Sequence, residues 1–543
     1  MKVAELLVKC LEHEGVEYVF GVPGEENIDL MDAFRDSPIE FIVTRHEAGA
    51  AFMAGIYGRL TGKPGVCLAT LGPGATNLLT GVANANMDLN PIIAITGQAG
   101  LYRQHKISHQ YYDLVSVYDP VTKWSVQVKT PEIVPEVVRK AFQVATEPKS
   151  GAAHIDVPED IANAEVEGSP LSLTSHAHVE ANNEVVSEAA ARIGRAKHPL
   201  ILAGNGVTRA NAAEAFRSFV KKTNIPVVHS FMGKGALSWK DELSLLTAGI
   251  GGNDYITCGF TEADLIIAVG FDMVEYAPES WNPDAKVPIM HIDTREAETD
   301  AHYPVALHVI GDIERNLQKL DQAFSPVDRD NEWVKGVRDK AFAELEAYEN
   351  NDHFPVKPQK IVSDLRSVLQ EQDIVVSDVG AHKMWLARMY HTFEPNTCLI
   401  SNGLASMGVA VPGAIAAKMV YPERSVVAVC GDGSFQMTSA ELETAQRLNL
   451  PIVILLWRDE GYGLIEWHQM KKFQRSSYIK FGNPDFLQLA GSYGFETIAV
   501  KESEALKPAL EKAIALKKPV LIDCPVDYSE NMKLTEKLGD IIC

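Results

Sequence analysis

Asp432 stands between two glycines at the end of an apolar run, where Val426-Val-Ala-Val-Cys430 opens into Gly431-Asp-Gly433-Ser434, and Asp459 closes a second apolar run 27 residues further on. That spacing holds one helix and one returning strand of a βαβ unit. In an open parallel sheet the carboxyl ends of neighbouring strands face one crevice, so both carboxylates can converge there on a single hard cation such as Mg²⁺. The flanking glycines allow a sharp turn, and a helix expected to begin near Ser434 aims its free N–H groups at the same place, which suits a diphosphate bridged to the metal. A lone Gly-Asp-Gly is more often an ordinary strand-to-helix turn. The second aspartate at strand-return distance sets this one apart.

Glu47 is the other residue with chemistry to offer. It follows a predicted strand, Phe41-Ile-Val-Thr44, and precedes Ala48-Gly-Ala-Ala-Phe-Met-Ala-Gly55, a helix start made almost wholly of small and apolar residues. A carboxylate beside such a surface loses hydration, which favours its proton and suits exchange with a ligand nitrogen. The plainer alternative is a carboxylate that complements the helix dipole in the first turn. Nearby, Gly72-Pro-Gly-Ala-Thr-Asn77 follows the apolar run Val66–Leu71. It either admits a flat ligand against the backbone or serves as a tight turn.

The elements that must position these residues form an alternating strand and helix pattern over 543 residues, too long for one core. The pattern predicts an α/β domain over 1–165, a central one over 186–325 and a third over 355–530. A polar linker from about Ala164 to Val185 carries Gly168-Ser-Pro170 and Thr174-Ser-His, and a charged helical stretch, Val327 to Phe354, leads into the third domain. Gly204-Asn-Gly206 in the central domain faintly suggests a dinucleotide loop, but the full G-x-G-x-x-G is missing and a structural turn is expected.

Hydrophobic residues make up 46 % and charged residues 22 % of the chain, an ordinary globular composition. The net charge of −22 repels polyphosphate backbones and argues against nucleic acid as a partner. No apolar run approaches the roughly 18 residues a membrane span needs, and the amphipathic start lacks a signal-peptide core, so a cytoplasmic location is expected. Seven cysteines are scattered singly, without zinc spacing, and read as reduced small hydrophobes.

Taken together, Gly21-Val-Pro-Gly24, Arg45-His-Glu-Ala48, Gly72 to Asn77, Thr96-Gly-Gln98, Ser377-Asp-Val-Gly380, Gly408-Val-Ala-Val-Pro412 and the Asp432 to Asp459 module resemble the thiamine-diphosphate-dependent enzymes of the acetolactate synthase type, in order over nearly the whole chain. His109-Gln110, Gly270-Phe-Asp272 with Glu275-Tyr276, Asp459 where biosynthetic relatives carry asparagine, and Lys471-Lys-Phe-Gln-Arg475 are most similar to the catabolic branch. The resemblance implies three doubly wound parallel-sheet domains: pyrimidine-binding, central and diphosphate-binding. It also implies a homodimer or homotetramer, each cofactor lying between the first domain of one subunit and the third of another.

Carried over by resemblance, Glu47 bonds the pyrimidine nitrogen, and Asp432, Asp459 and the Gly461 carbonyl hold Mg²⁺. Val379, Gly380, Ala381 and His382 meet the diphosphate from one side, Gly433 and Ser434 from the other. Met407 wedges beneath the bent cofactor, the Ala405 carbonyl accepts from its exocyclic amine, and Gly24, Gly72, Asn77 and Leu464 complete the cofactor wall. Gln98, His109 and Gln110 line the substrate side. The implied reaction is decarboxylating condensation of two pyruvates, or a similar small 2-keto acid, to 2-acetolactate and CO₂, serving acetoin formation or branched-chain amino-acid synthesis. A 2-keto acid decarboxylase, an aldehyde carboligase and a non-catalytic sensor are the alternatives. Decarboxylases of this group carry a neighbouring histidine pair, and no His-His occurs here. The Arg-Phe-Asp-Asp run that accompanies flavin in the biosynthetic branch is absent around Phe271, so FAD is not expected to be required. Departures from the pattern are Glu25, Ala381, Gly463 with Leu464, and Trp467 with His468.

Overall fold

Most apolar runs seen in the sequence are strands buried on both faces; every residue of Ile92–Gln98, Ala152–Pro158 and Pro199–Ala203 is buried. Strands of that kind pair in parallel between two layers of helices. A computed structural model describes residues 1–174, 178–249, 255–346 and 350–531, and in it 18 strands form three six-stranded sheets, all parallel. Ser175, His176 and Cys543 lie outside the described residues.

The first sheet contains β1 (Tyr18–Gly21), β2 (Glu40–Val43), β3 (Gly65–Ala69), β4 (Ile92–Gln98), β5 (Trp124–Gln127) and β6 (Ala152–Pro158) in the order β2-β1-β3-β4-β6-β5. The central sheet contains β7 (Pro199–Ala203), β8 (Val227–His229), β9 (Ser244–Thr247), β10 (Leu265–Val269), β11 (Ile289–Asp293) and β12 (Val305–Ile310) in the order β12-β11-β10-β7-β8-β9. The third contains β13 (Ile374–Ser377), β14 (Cys398–Leu399), β15 (Val426–Gly431), β16 (Ile452–Arg458), β17 (Glu496–Ala499) and β18 (Val520–Pro525) in the order β14-β13-β15-β16-β18-β17. Numbered within each sheet, the first and third share one order, 2-1-3-4-6-5. The central sheet has the doubly wound order 3-2-1-4-5-6.

The first and third units share a core. Ala50, Ala51 and Ile56 of the Glu47–Thr61 helix lie in one buried cluster with Val411, Ala414 and Ile415 of the Ala410–Val420 helix. Helices Glu332–Glu346 and Asn183–Arg195 fall in the expected connector and at the start of the central unit. No helix among the described residues is long and apolar enough to cross a membrane. Cys10, Cys67, Cys398, Cys430 and Cys524 are buried and unpaired.

Candidate active site

Pairing of β15 with β16 aligns Gly431 with Trp457, so both strands end at one place. The helix there runs Asp432–Thr438 and so begins at Asp432 itself, earlier than the Ser434 expected from sequence. Asp432 is wholly buried. Its Oδ1 accepts from the Gly433 amide at 2.8 Å, and its Oδ2 from the amides of Asp459 at 3.2 Å and Glu460 at 2.7 Å and from Asn483 Nδ2 at 2.7 Å. The two aspartates therefore converge. Burial, then the charge of Asp432, pushes the Asp459 carboxyl up to about 7. Two carboxylates that repel each other in a dry corner fit a divalent cation, which reverses that repulsion.

Asn483 went unseen in the sequence because only the turn Gly482-Asn-Pro484 marks it. Its Oδ1 is buried and has no hydrogen-bond partner among the described residues. A bridge pairs Gly461 with Lys480, and Glu460, between Asp459 and Gly461, takes a left-handed φ of 56°. Among the described residues no three or more His, Cys, Asp or Glu side chains group around a possible ion. A cation here would draw its remaining ligands from carbonyls and from the bound anion. A cavity of about 460 Å³ opens beside Asp459, lined by Glu466, Trp467, Lys480 and Tyr528.

Next to it lie two glycine-bearing turns, the part expected to receive a diphosphate. Buried His382 sits under both glycine-bearing turns: a Cβ on Gly380 would lie 2.8 Å from its ring and one on Gly431 3.1 Å away. Burial lowers its pKa to about 3, and its Nε2 has no partner among the described residues. Ala381 opens the following helix, and Ser434 Oγ donates to the Gly431 carbonyl at 3.1 Å. Gly433 is covered by the rings of Tyr462 and Phe481. Asp378 joins this cradle to the next loop by accepting from the amides of Val379 at 2.8 Å and Gly408 at 2.7 Å. In that loop Ala405 is left-handed, with φ 56°, and Met407 is half-buried, while Leu464 is half-buried on the Gly463–Phe473 helix.

On the first unit Glu47 opens the Glu47–Thr61 helix, whose cap is His46 Nδ1 accepting from the Ala48 amide. Glu47 Oε2 accepts from Asn77 Nδ2 at 3.0 Å, which joins the two predicted residues. Gly72 has φ +55°, and a Cβ there would strike Gln110 at 2.8 Å; Gln110 is itself left-handed at 57°. Only glycine permits this close approach. Gly24 is pressed against Thr70 in the same wall. Arg103 Nη1 donates to the His109 carbonyl at 3.1 Å, leaving the side chains of His109 and Gln110 exposed. Gln98, expected on the substrate side, lies at the end of β4. It is wholly buried, donating to Asp156 Oδ2 at 3.2 Å and the Tyr112 carbonyl at 2.9 Å, so it supports the 109–112 loop from behind. Glu25 is exposed.

The central Gly204-Asn-Gly206 turn is closed from within. The Gly206 amide donates to the Gly270 carbonyl at 2.7 Å, and the Asn205 amide to Glu275 Oε1 at 3.1 Å, so a buried carboxylate of the chain fills the anion position. A larger cleft of about 670 Å³ lies at this turn, away from the aspartate pair.

Family models match along the chain: thiamine pyrophosphate enzyme, N-terminal TPP binding domain over 1–117, central domain over 186–320 and C-terminal TPP binding domain over 378–524. The chain belongs to the thiamine pyrophosphate enzymes. Within that family it stands among the acetolactate synthases. Acetolactate synthase of Bacillus subtilis (strain 168) is 36% identical, covering 99% of this chain and 96% of the relative. The catabolic acetolactate synthase of Raoultella terrigena is 35% identical over 98% and 97%, and the large subunit of Lactococcus lactis 32% over 97% and 93%.

Proposed function

We propose that this chain condenses two molecules of pyruvate to 2-acetolactate with release of CO₂. The observation that carries the proposal is its end-to-end similarity to acetolactate synthases; the meeting of Asp432 with Asp459 and of Glu47 with Asn77 supports it. Bound thiamine diphosphate would supply the nucleophilic carbon and the electron sink for decarboxylation and carbon–carbon bond formation.

The chain's residues supply position and charge. Asp432, Asp459 and the Gly461 carbonyl would hold Mg²⁺. Val379, Gly380, Ala381, His382, Gly433 and Ser434 would receive the diphosphate, with neutral His382 able to donate from beneath. Ala405, Met407, Leu464, Gly24 and Gly72 would wall the rings. Glu47 would hold and release a proton at the pyrimidine nitrogen, steadied by Asn77. His109 and Gln110 would face the substrate, with Gln98 fixing their loop. The Glu275 carboxylate inside the central turn supports a reaction that needs no flavin.

A second copy of the chain completes the site in this reading. Ile107 and Tyr478 are fully exposed, and Tyr102, Met437 and Phe473 more than half so, an apolar surface around both halves of the site that suits burial against another protomer. Buried, unpaired cysteines fit a reducing, cytoplasmic setting. The test is to supply pyruvate and Mg²⁺ with and without thiamine diphosphate and to measure acetolactate, acetaldehyde and CO₂. Cofactor-dependent acetolactate is expected; acetaldehyde as the sole organic product, or no turnover, would overturn the proposal.

A further inference from the structure

The Glu47 helix is held from the far end of the chain. Glu441 ends the short turn Ser439–Glu441 that continues directly from the Asp432–Thr438 helix. It is 1% exposed. Its Oε1 accepts from the backbone amides of Arg45 at 3.1 Å and His46 at 3.0 Å, the two residues that precede Glu47. Its Oε2 accepts from Thr444 Oγ1 at 2.6 Å. Arg447 grips the same junction by donating to the Val43 carbonyl at the end of β2. Gly49 records the contact from the other side, since a Cβ there would lie 2.5 Å from Glu441 Oε1. The glycine in Glu47-Ala-Gly49 thus makes room for a carboxylate supplied by the third domain.

We propose that Glu441 is a positioning residue for Glu47. By fixing the two peptide units before the helix it sets where the first-turn carboxylate points, toward Asn77 and the cofactor side. It does so from the segment that also presents Asp432, so the metal end and the proton-exchanging end of one chain form one mechanical unit. With the cofactor between two copies, those ends serve different sites, and residues 432–447 join them. The proposal rests on the function above in naming Glu47 as the acid/base and in setting the cofactor between two copies; the geometry stands without it.

The test is Glu441→Ala in the full chain. In the cofactor-free protein, hydrogen exchange of the Arg45 and His46 amides should accelerate at least about tenfold, because their acceptor is gone. Turnover should fall roughly 100-fold, as for a side chain displaced by about an ångström, with KM for pyruvate and Mg²⁺-dependent cofactor affinity nearly unchanged. Glu441→Gln retains an acceptor oxygen and should restore most of both. Gly49→Ala, a change that ordinarily favours a helix, should instead slow turnover by displacing Glu441. Native exchange or native turnover in Glu441→Ala overturns the proposal, as does a Gln variant as slow as the Ala variant. If Glu441→Ala does not fold, native turnover in Gly49→Ala overturns it. A wild-type chain that makes no acetolactate would refute the function alone, since the exchange measurement still judges Glu441.

Discussion

The first and third sheets are built to one strand order yet prepare opposite chemistry at their carboxyl ends. In the third, Asp432 is buried under backbone amides, and burial with the charge of Asp432 drives Asp459 toward protonation beside it, against the opposing pull of Lys480. In the first, Glu47 is half-exposed with the neutral Asn77 amide as its partner, and the buried carboxylate is set one layer back: Asp156 accepts from Thr96, Gln98 and Gln127. One end sets two mutually repelling carboxylates together, the other a single carboxylate against a neutral amide. The central sheet, with a different order, turns its glycine loop inward onto Glu275. Shared topology sets carboxylates at the carboxyl ends of both sheets, after the second strand in the first and after the third and fourth in the third, while their immediate partners decide what each can do.

The contrast breaks most completely at Asp432. Asp432→Ala should abolish Mg²⁺-dependent cofactor uptake in calorimetry; retained uptake would mean the acid pair is no cation site. Glu47→Gln should do the reverse, leaving uptake nearly intact while slowing acetolactate formation between about 10²- and 10⁴-fold, the range for a lost acid/base. Unchanged steady-state turnover would remove Glu47 from the chemistry.

Asn483→Ala sharpens the third-unit side. By releasing Asp432 Oδ2 it should weaken Mg²⁺ binding about 10- to 100-fold, read by titration of the cofactor-saturated protein. Equal affinities would show that the backbone amides alone orient the carboxylate.

The smallest effect concerns Asp156. Burial raises its carboxyl from 3.8 to about 6, with Asp113 adding to the shift against its hydrogen bonds. The native state thus keeps this proton to a higher pH than the unfolded chain does, so its contribution to stability is present below about pH 4 and is lost as pH rises to about 6, at about 1 kcal/mol per pH unit. Asp156→Asn should flatten that part of the stability curve in denaturant titrations. An unaltered slope would assign the dependence to other groups.

Much of this was legible in the chain itself. The strands β15 and β16 announce themselves as apolar runs ending in Asp432 and Asp459, and Glu47 is marked by the jump from a strand to small residues. Asn483, Glu441 and Asp156 carried no such mark, because each acts on a partner 51 or more residues away that no local pattern names. Gln98 was marked only by resemblance, since alternation along β4 cannot single out one residue when every residue of the strand is buried; its partners Asp156 and the Tyr112 carbonyl emerge from the structure.

Local chemistry alone determined three parallel α/β units and the two carboxylate-bearing turns, because hydrophobic period and glycine placement act over a few residues. Only the tertiary structure decided that the third unit caps the helix of the first through Glu441, that Gln98 faces inward and that Glu275 closes the central turn. Those are matters of which buried donor finds which acceptor, and burial leaves such groups no water to fall back on.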